Sequence, residues 1–171
     1  MEKRGGDLFW ESYKVTTEDD YILTMFRITG ISSDKSERIE GQGSKGPLIL
    51  MHGHFADALH WFTNKPTDPN LPSAPNQLFY EGYDVWLGNS RGTMYSREHK
   101  RFDADEDAKY YWNFSFVEMG KYDLPAMIET ILNNQDPENP CMKITYVAHS
   151  AGTMSAFYGL SFAPYAFKYI S

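Results

Sequence analysis

The sequence predicts an α/β fold in which a mostly parallel sheet follows an antiparallel hairpin at the amino end. Two β-rich runs separated by a short acidic turn predict the hairpin, and apolar strands then alternate with helical patterns. The order hairpin, strand, helix, strand, helix, strand, sharp turn, helix builds a parallel sheet with right-handed crossovers. We expect residues 1–171 to form a single domain, because the chain has the length of one ordinary domain and its 42% hydrophobic content suffices for a core. We expect residues 1–10 to be a flexible terminus.

The first half of the chain supplies the hairpin and two central strands. Residues 47–51 lack polar alternation, which is expected of a strand covered on both faces. Residues 63–75 hold four of the nine prolines and are expected to be irregular. The predicted elements are strands over 13–17, 21–28, 47–51 and 83–87, a helix over 74–81 that ends at Gly82, and loops over 32–46, 63–75 and 88–92.

The second half of the chain begins with a helix start signal. Residues 115–118 match a capping box, in which the serine accepts the first amides and the glutamate reaches back. Pro125 interrupts the backbone hydrogen bonding, so we expect the following helix to kink there or to restart with Asp123 as its cap. The apolar stripe of that helix, at i, i+3, i+4, i+7 and i+8, consists of Leu124, Met127, Ile128, Ile131 and Leu132.

Residues 147–153, with the sequence VAHSAGT, have the pattern of a nucleophile elbow. In this motif an apolar strand enters a very sharp turn and a helix leaves it, so that the serine, here Ser150, stands at the tip. Crowding in the turn favours glycine two residues before and two residues after the nucleophile. The residues found there are Ala148 and Gly152, and alanine is the smallest departure available.

A nucleophilic serine needs a base for its proton and preorganised N–H groups for the oxyanion that forms. The backbone amide of Ala151, at the amino end of the predicted helix, is the first candidate donor. A second donor comes from the loop after an early central strand, which here reads MHGHF over residues 51–55. Our candidate in that loop is the amide of His54.

Composition excludes several classes of partner. The chain carries 16 basic and 23 acidic residues, a net charge of −7, and no basic stripe that would bind nucleic acid. The longest apolar run, residues 48–51, is far shorter than the roughly 20 residues of a membrane span, and residues 1–6 lead into no signal-like core. Cys141 is the only cysteine, so an internal disulfide is impossible, and we expect it to be a small buried hydrophobe.

Residues 113–115, with the sequence NFS, match an N-glycosylation sequon. The asparagine would accept a glycan if the protein passed through a secretory pathway. Coincidence is the alternative, because Ser115 is also a good helix cap.

Several motifs occur in the order of one family, from about Tyr13 to Phe162. They are residues 13–23 (YKVTTEDDYIL), His52-Gly53 with Trp61, residues 82–92 (GYDVWLGNSRG), 95–97 (YSR), 121–126 (KYDLPA) and the elbow. By these motifs the chain resembles the acid lipases, the gastric and lysosomal group with its sterol esterase relatives within the α/β-hydrolases.

The resemblance implies the amino-terminal half of an α/β-hydrolase fold, without the later strands and the lid. It further implies an esterase that acts on triacylglycerols or steryl esters through an acyl-enzyme on Ser150. The amides of Ala151 and His54 would form the oxyanion hole, and no cofactor or metal is implied. The family points to a secreted or lysosome-like location, although the chain as given shows no signal peptide.

The chain departs from the family pattern at the elbow and beside it. Ala148 replaces the usual first glycine, Ala151 stands where glutamine is typical, and His54 takes the position of an apolar residue. These departures leave the backbone amides in place but bring the fit of an acyl chain into question.

The larger departure is the absence of the catalytic partners. In α/β-hydrolases they follow in the order serine, acid, histidine, yet all five histidines precede Ser150; these are His52, His54, His60, His99 and His149. We interpret His149 as a packed elbow residue, because neighbours on a sharp turn point apart. Asp84 and Asp123 match family positions and are interpreted as caps or turn acceptors, and Arg91 as a buried hydrogen-bond hub.

Three readings of the function follow. The first is a lipid ester hydrolase whose catalytic Asp and His are absent from this chain, so that the isolated 171-residue chain is nearly inactive. The second is a non-catalytic, truncated relative that serves as an interaction module. The third is a serine hydrolase of other specificity, such as a peptidase or thioesterase. In the first two, a missing carboxy-terminal half or a partner chain covers the open sheet edge beside the elbow strand.

Overall fold

A computed structural model of the chain describes residues 8–31, 43–62, 73–135, 137 and 143–171, and the statements below concern these residues. The expectation for Cys141 lies outside them. So does most of the predicted loops at 32–46 and 63–75.

Six strands of the described residues form one sheet. They are β1 (Leu8–Thr16), β2 (Tyr21–Ile31), β3 (Pro47–Met51), β4 (Asp84–Gly88), β5 (Glu98–His99) and β6 (Thr145–Ala148). Strand β2 pairs antiparallel with β1, β4 and β5, and β3 lies parallel to both β4 and β6, in the order β1-β2-β4-β3-β6. This arrangement confirms the predicted fold class.

The hairpin strands are longer than the sequence pattern predicts. Residues 8–10, part of the terminus expected to be flexible, belong to β1, whereas residues 1–7 lie outside the described residues. Strand β5 was not predicted, since two residues are too few for a periodic signal.

The helices pack on both faces of the sheet. A 3-10 helix covers Ala58–Phe62, and a π-helical turn covers Met119–Asp123. The α-helices are α1 (Ala74–Tyr80), α2 (Ala108–Tyr111), α3 (Phe116–Glu118), α4 (Leu124–Asn133), α5 (Ala151–Phe162) and α6 (Pro164–Phe167).

Alternation along β3 divides the core into two layers. Ile49 and Met51 pack in the layer that contains α4, whereas Leu48 and Leu50 pack in the layer that contains α1. All five residues of β3 are buried, as the absence of polar alternation predicts. The strand that leads toward the candidate site is therefore fixed from both sides.

The capping box is confirmed, but the interpretation of Asp123 as a helix cap is wrong. Ser115 Oγ accepts the Val117 amide at 3.2 Å, and Glu118 Oε2 accepts the Ser115 amide at 2.7 Å. From there the chain continues through the π-helical turn into α4, and Asp123 has helical torsions and makes no capping bond. Pro125 lies in the first turn of α4, directly after the π-helical turn, and has no N–H to donate back to that turn. The Asp123 carboxylate is instead held by an arginine, as described below.

Helix α5 crosses the π-helical turn at very close range. A Cβ on Gly120 would lie 2.7 Å from the Gly159 nitrogen, and a Cβ on Gly159 would lie 2.8 Å from the Gly120 oxygen. Both positions therefore require glycine, and the contact fixes α5 against the layer that contains α4.

Strand β6 is at the sheet edge among the described strands. It pairs with β3 on one side, and a single parallel bridge joins Ile144 to Ile170 on the other. Within the described part of the chain, no helix is long and apolar enough to cross a bilayer.

Candidate active site

Ser150 occupies the sharp turn between β6 and α5. Its backbone torsions are φ 50° and ψ −113°, and its side chain is exposed. A residue with a Cβ rarely adopts such torsions, so this conformation is strained and must be held by its surroundings. The turn that the sequence predicts is present at this position.

Two glycines allow the loop after β3 to approach this turn. A Cβ on Gly152 would lie 2.8 Å from the His52 oxygen, and a Cβ on Gly53 would lie 3.2 Å from Ser150 Cβ. Two hydrogen bonds reinforce the contact, since the His149 amide donates to Met51 O at 3.0 Å and Tyr146 Oη donates to Gly152 O at 2.8 Å. The strain at Ser150 is therefore balanced by close packing on both sides.

The two candidate oxyanion donors border one cavity. Ala151 is the first residue of α5, so its amide has no partner in the helix, and neither it nor the His54 amide donates to an acceptor among the described residues. Both residues line a cavity of about 510 Å³. The His54 ring is exposed and lies on Phe55, with 3.9 Å between ring centroids.

The cavity has an apolar, partly exposed rim that the sequence analysis did not identify. Phe55, Met94 and Trp112 line it and expose 98%, 69% and 44% of their surface. Phe114 and Met119 also line it. These residues come from separate segments, and the aromatic cluster over 110–116 was the one local signal for this wall.

His52 ties the candidate oxyanion loop to the loop after β4. Its buried ring accepts the Ser90 amide on Nε2 at 3.1 Å, so the proton lies on Nδ1, which contacts Gly53 O at 2.8 Å. Burial lowers the pKa of His52 below its ordinary value, against an opposing effect of the Gly53 carbonyl. The ring is therefore neutral and holds one tautomer.

Arg91 is the buried hydrogen-bond hub that the sequence predicts. Its guanidinium donates to Asp123 Oδ1 at 2.8 Å and to both carboxylate oxygens of Asp19, at 2.6 and 2.8 Å. Its backbone amide donates to Asp123 Oδ2 at 3.0 Å, and its guanidinium stacks over the Tyr21 ring at 4.0 Å. Partial burial alone would raise the pKa of Asp19, but the bonds from Arg91 and Thr17 outweigh it and lower that pKa.

The His149 side chain is exposed, yet it packs at the elbow as interpreted, since a Cβ on Gly53 would lie 2.7 Å from its Nδ1. Its ring stacks on His60, with centroids 5.0 Å apart and planes at 18°. The rings of His52 and His54 make the contacts described above, so neither they nor His149 is assigned as a base for Ser150.

Asp84 is not a cap but an ion-pair residue. It starts β4 and accepts a hydrogen bond from Arg27 Nε at 2.8 Å and another from Trp86 Nε1 at 2.9 Å.

The described residues contain no group of three or more His, Cys, Asp or Glu side chains that could hold a metal ion.

Comparison with known proteins identifies the same family as the motifs. The profile of the partial α/β-hydrolase lipase region matches residues 6–65. The gastric triacylglycerol lipase of Mus musculus is 43% identical over 154 residues, which are 90% of this chain and 35% of that lipase. The lysosomal acid lipase/cholesteryl ester hydrolase of Homo sapiens is 41% identical, with the same two coverages of 90% and 35%.

A solved structure shares the fold. A Pyrococcus furiosus esterase superposes with a TM-score of 0.58 and 18% identity, over 92% of this chain and 48% of that esterase. The parallel central strands, the sharp turn and the helix after it define this chain as an α/β-hydrolase. Within that class it belongs to the acid lipase family, a family of lipid ester hydrolases. The chain spans about a third of the length of the two lipases.

Proposed function

We propose that this chain is part of a lipase that hydrolyses triacylglycerols or steryl esters through an acyl-enzyme on Ser150. The observation that carries the proposal is the exposed Ser150 side chain on a strained turn between β6 and α5. The neighbouring cavity supports it, because Ala151 and His54 both line it and their amides donate to no acceptor among the described residues.

The chemistry would proceed in two steps. Ser150 Oγ attacks the ester carbonyl carbon while a base takes its proton, and the carbonyl oxygen accepts bonds from the Ala151 and His54 amides. The alcohol then leaves with that proton, and water later releases the acid. Losing one such donor typically costs about 10²–10³ in rate, roughly 2.7–4 kcal/mol. No Asp or His follows Ser150 in this sequence, so the base and acid of the proposed mechanism lie outside it.

The apolar rim of the cavity supports a lipid as the acyl donor. Phe55, Met94 and Trp112 offer exposed apolar surface beside the candidate oxyanion amides. The names of the relatives, a triacylglycerol lipase and a cholesteryl ester hydrolase, favour neutral lipid esters. The same names favour a secreted or lysosomal compartment.

A fluorophosphonate probe tests this proposal. We expect no adduct on the 171-residue chain and an adduct on Ser150 in a product extended by the remaining family segments. Ser150→Ala should abolish the adduct, and Ser161→Ala, an exposed serine on the same helix, should keep it. An adduct on the 171-residue chain would contradict the expectation that this chain is inactive. Absence of an adduct from both products would contradict the proposed lipase function.

The second candidate is a non-catalytic interaction module. The open side of β6 is the observation that favours it, because an unpaired edge is a template for another chain. This reading predicts an absence of labelling in both products.

A further inference from the structure

The sequon at residues 113–115 has no part in the proposed chemistry. It has the required N-x-S pattern with phenylalanine at the middle position, and the chain of 171 residues contains no second sequon. A modification at this sequon can therefore be tested with one substitution.

Asn113 is placed as a modified asparagine must be. It is exposed in the turn between α2 and the capped start of α3. Its carboxamide makes no hydrogen bond among the described residues, and its backbone amide contacts Tyr110 O at 3.4 Å. A sugar on Nδ2 would therefore break no bond of the fold.

The two neighbours of Asn113 hold it in this position. Trp112 Nε1 donates to Ala104 O at 2.8 Å. The rings of Trp112 and Phe114 lie against Gly92, where a Cβ would come within 2.6 and 3.0 Å of them. Because both rings pack against Gly92, Asn113 is left exposed on the outer side of the turn.

This turn is part of the wall of the candidate acyl cavity. Trp112 and Phe114 both line the cavity that Ala151 borders. We propose that Asn113 carries an N-linked oligosaccharide at the rim of this cavity. This inference rests on the proposed function in one respect, namely that the protein passes through a secretory or lysosomal route.

The transfer can be written in full. Nδ2 of Asn113 forms a bond to the anomeric carbon of the first sugar of a lipid diphosphate-linked oligosaccharide. The bond between that carbon and the diphosphate oxygen breaks, and the lipid diphosphate leaves while the amide loses one proton. Ser115 Oγ accepts the Val117 amide and donates to Glu118 in the fold, so the transfer would precede folding of this turn.

The test is expression of the 171-residue chain behind a cleavable leader in a eukaryotic secretory host. Medium and cell lysate are both digested with peptide N-glycosidase F, which leaves aspartate at a glycosylated position. We expect a downward mobility shift on digestion and an aspartate at position 113 by mass spectrometry.

Two variants make the result specific. Asn113→Gln should lose the shift, and Ser115→Thr, which keeps both the sequon and a capping hydroxyl, should retain it. Absence of the shift in the parent chain, or its persistence in Asn113→Gln, would overturn the inference. Ser150→Ala should keep the glycan, so failure of the lipase proposal is distinguishable from failure of this one.

Discussion

The backbone of Ser150 stores strain that its neighbours balance. Its torsions of φ 50° and ψ −113° cost on the order of 1–3 kcal/mol for a residue with a Cβ. The close approach of Gly53 and Gly152 leaves the turn no room to relax. The exposed position of Ser150 is thus obtained at the expense of stability, and this can be measured.

We expect Ser150→Gly to raise the free energy of unfolding by about 1 kcal/mol. Glycine removes the strain, while its extra freedom in the unfolded chain offsets about 0.5–1 kcal/mol of the gain. Urea denaturation measures the difference. Ser161→Gly, in an exposed and ordinary helical position of α5, should lower stability instead. Equal destabilisation by both variants would show that Ser150 is not strained.

The neutral state of His52 predicts a pH dependence of stability. Burial lowers the pKa of His52 from 6.5, so below about pH 6.5 the unfolded chain binds a proton that the folded chain excludes. The free energy of unfolding therefore falls as the pH falls, by roughly 1.4 kcal/mol for each unit of depression.

We expect His52→Gln to make the loss of stability between pH 6.5 and 5 less steep. Glutamine does not titrate, so in this variant the slope of the unfolding free energy against pH contains only the contributions of the other groups. Urea unfolding of both proteins across this range measures the difference in slope. An unchanged slope would contradict a buried neutral His52.

Between elements, the pairing of Arg91 with Asp19 and Asp123 joins the hairpin turn, the loop after β4 and the π-helical turn. Arg91 and Asp123 are almost completely buried, so loss of the guanidinium would leave an uncompensated carboxylate. That situation typically costs about 3–5 kcal/mol.

We expect Arg91→Met to lower stability by about that 3–5 kcal/mol. Arg97→Met is the matched control, because Arg97 forms an exposed ion pair with Asp105 that water screens and that should contribute little to stability. Chemical denaturation of both variants is the measurement. Similar losses of stability in the two variants would contradict a stabilising role for the buried pairing of Arg91 with Asp123.

The crossing of α5 over the π-helical turn predicts a sharp dependence on glycine. Gly159→Ala would place a Cβ against the Phe167 ring and 2.8 Å from Gly120 O, and overpacking of this kind costs about 1–3 kcal/mol. Gly30→Ala is the control, since its Cβ would lie 3.5 Å from the nearest atom, an ordinary contact. Thermal unfolding should separate the two variants, and equal melting temperatures would contradict the close crossing.

Local sequence patterns predict the elements whose formation depends on residues that are close in sequence. The apolar run of β3, the capping box at Ser115 and the turn at Ser150 each depend on neighbours in sequence, and each is present. The sequence does not predict the partner of Asp123, because Arg91 lies 32 residues away and Pro125, two residues after Asp123, favours a helix cap there. The cavity rim was missed for the same reason, since folding assembles it from separate segments.

Over the molecule as a whole, apolar surface is concentrated on α5 beside the open edge of β6. Phe157 and Leu160 expose 64% and 51% of their surface, although a helix that is apolar all round is normally buried. An exposed apolar helix surface beside an open strand edge favours association between copies of the chain. The isolated chain should therefore self-associate through α5.

We expect the double variant Phe157→Gln/Leu160→Gln to be more monomeric than the parent chain. Sedimentation velocity over a range of concentrations measures the change, with Ser161→Gln on the same helix as the control. Thr145→Lys on β6 distinguishes the two surfaces, because a charge on an edge strand opposes strand pairing but leaves the α5 surface unchanged. If this variant alone abolishes association, copies associate through the sheet edge, and the apolar surface of α5 does not drive it.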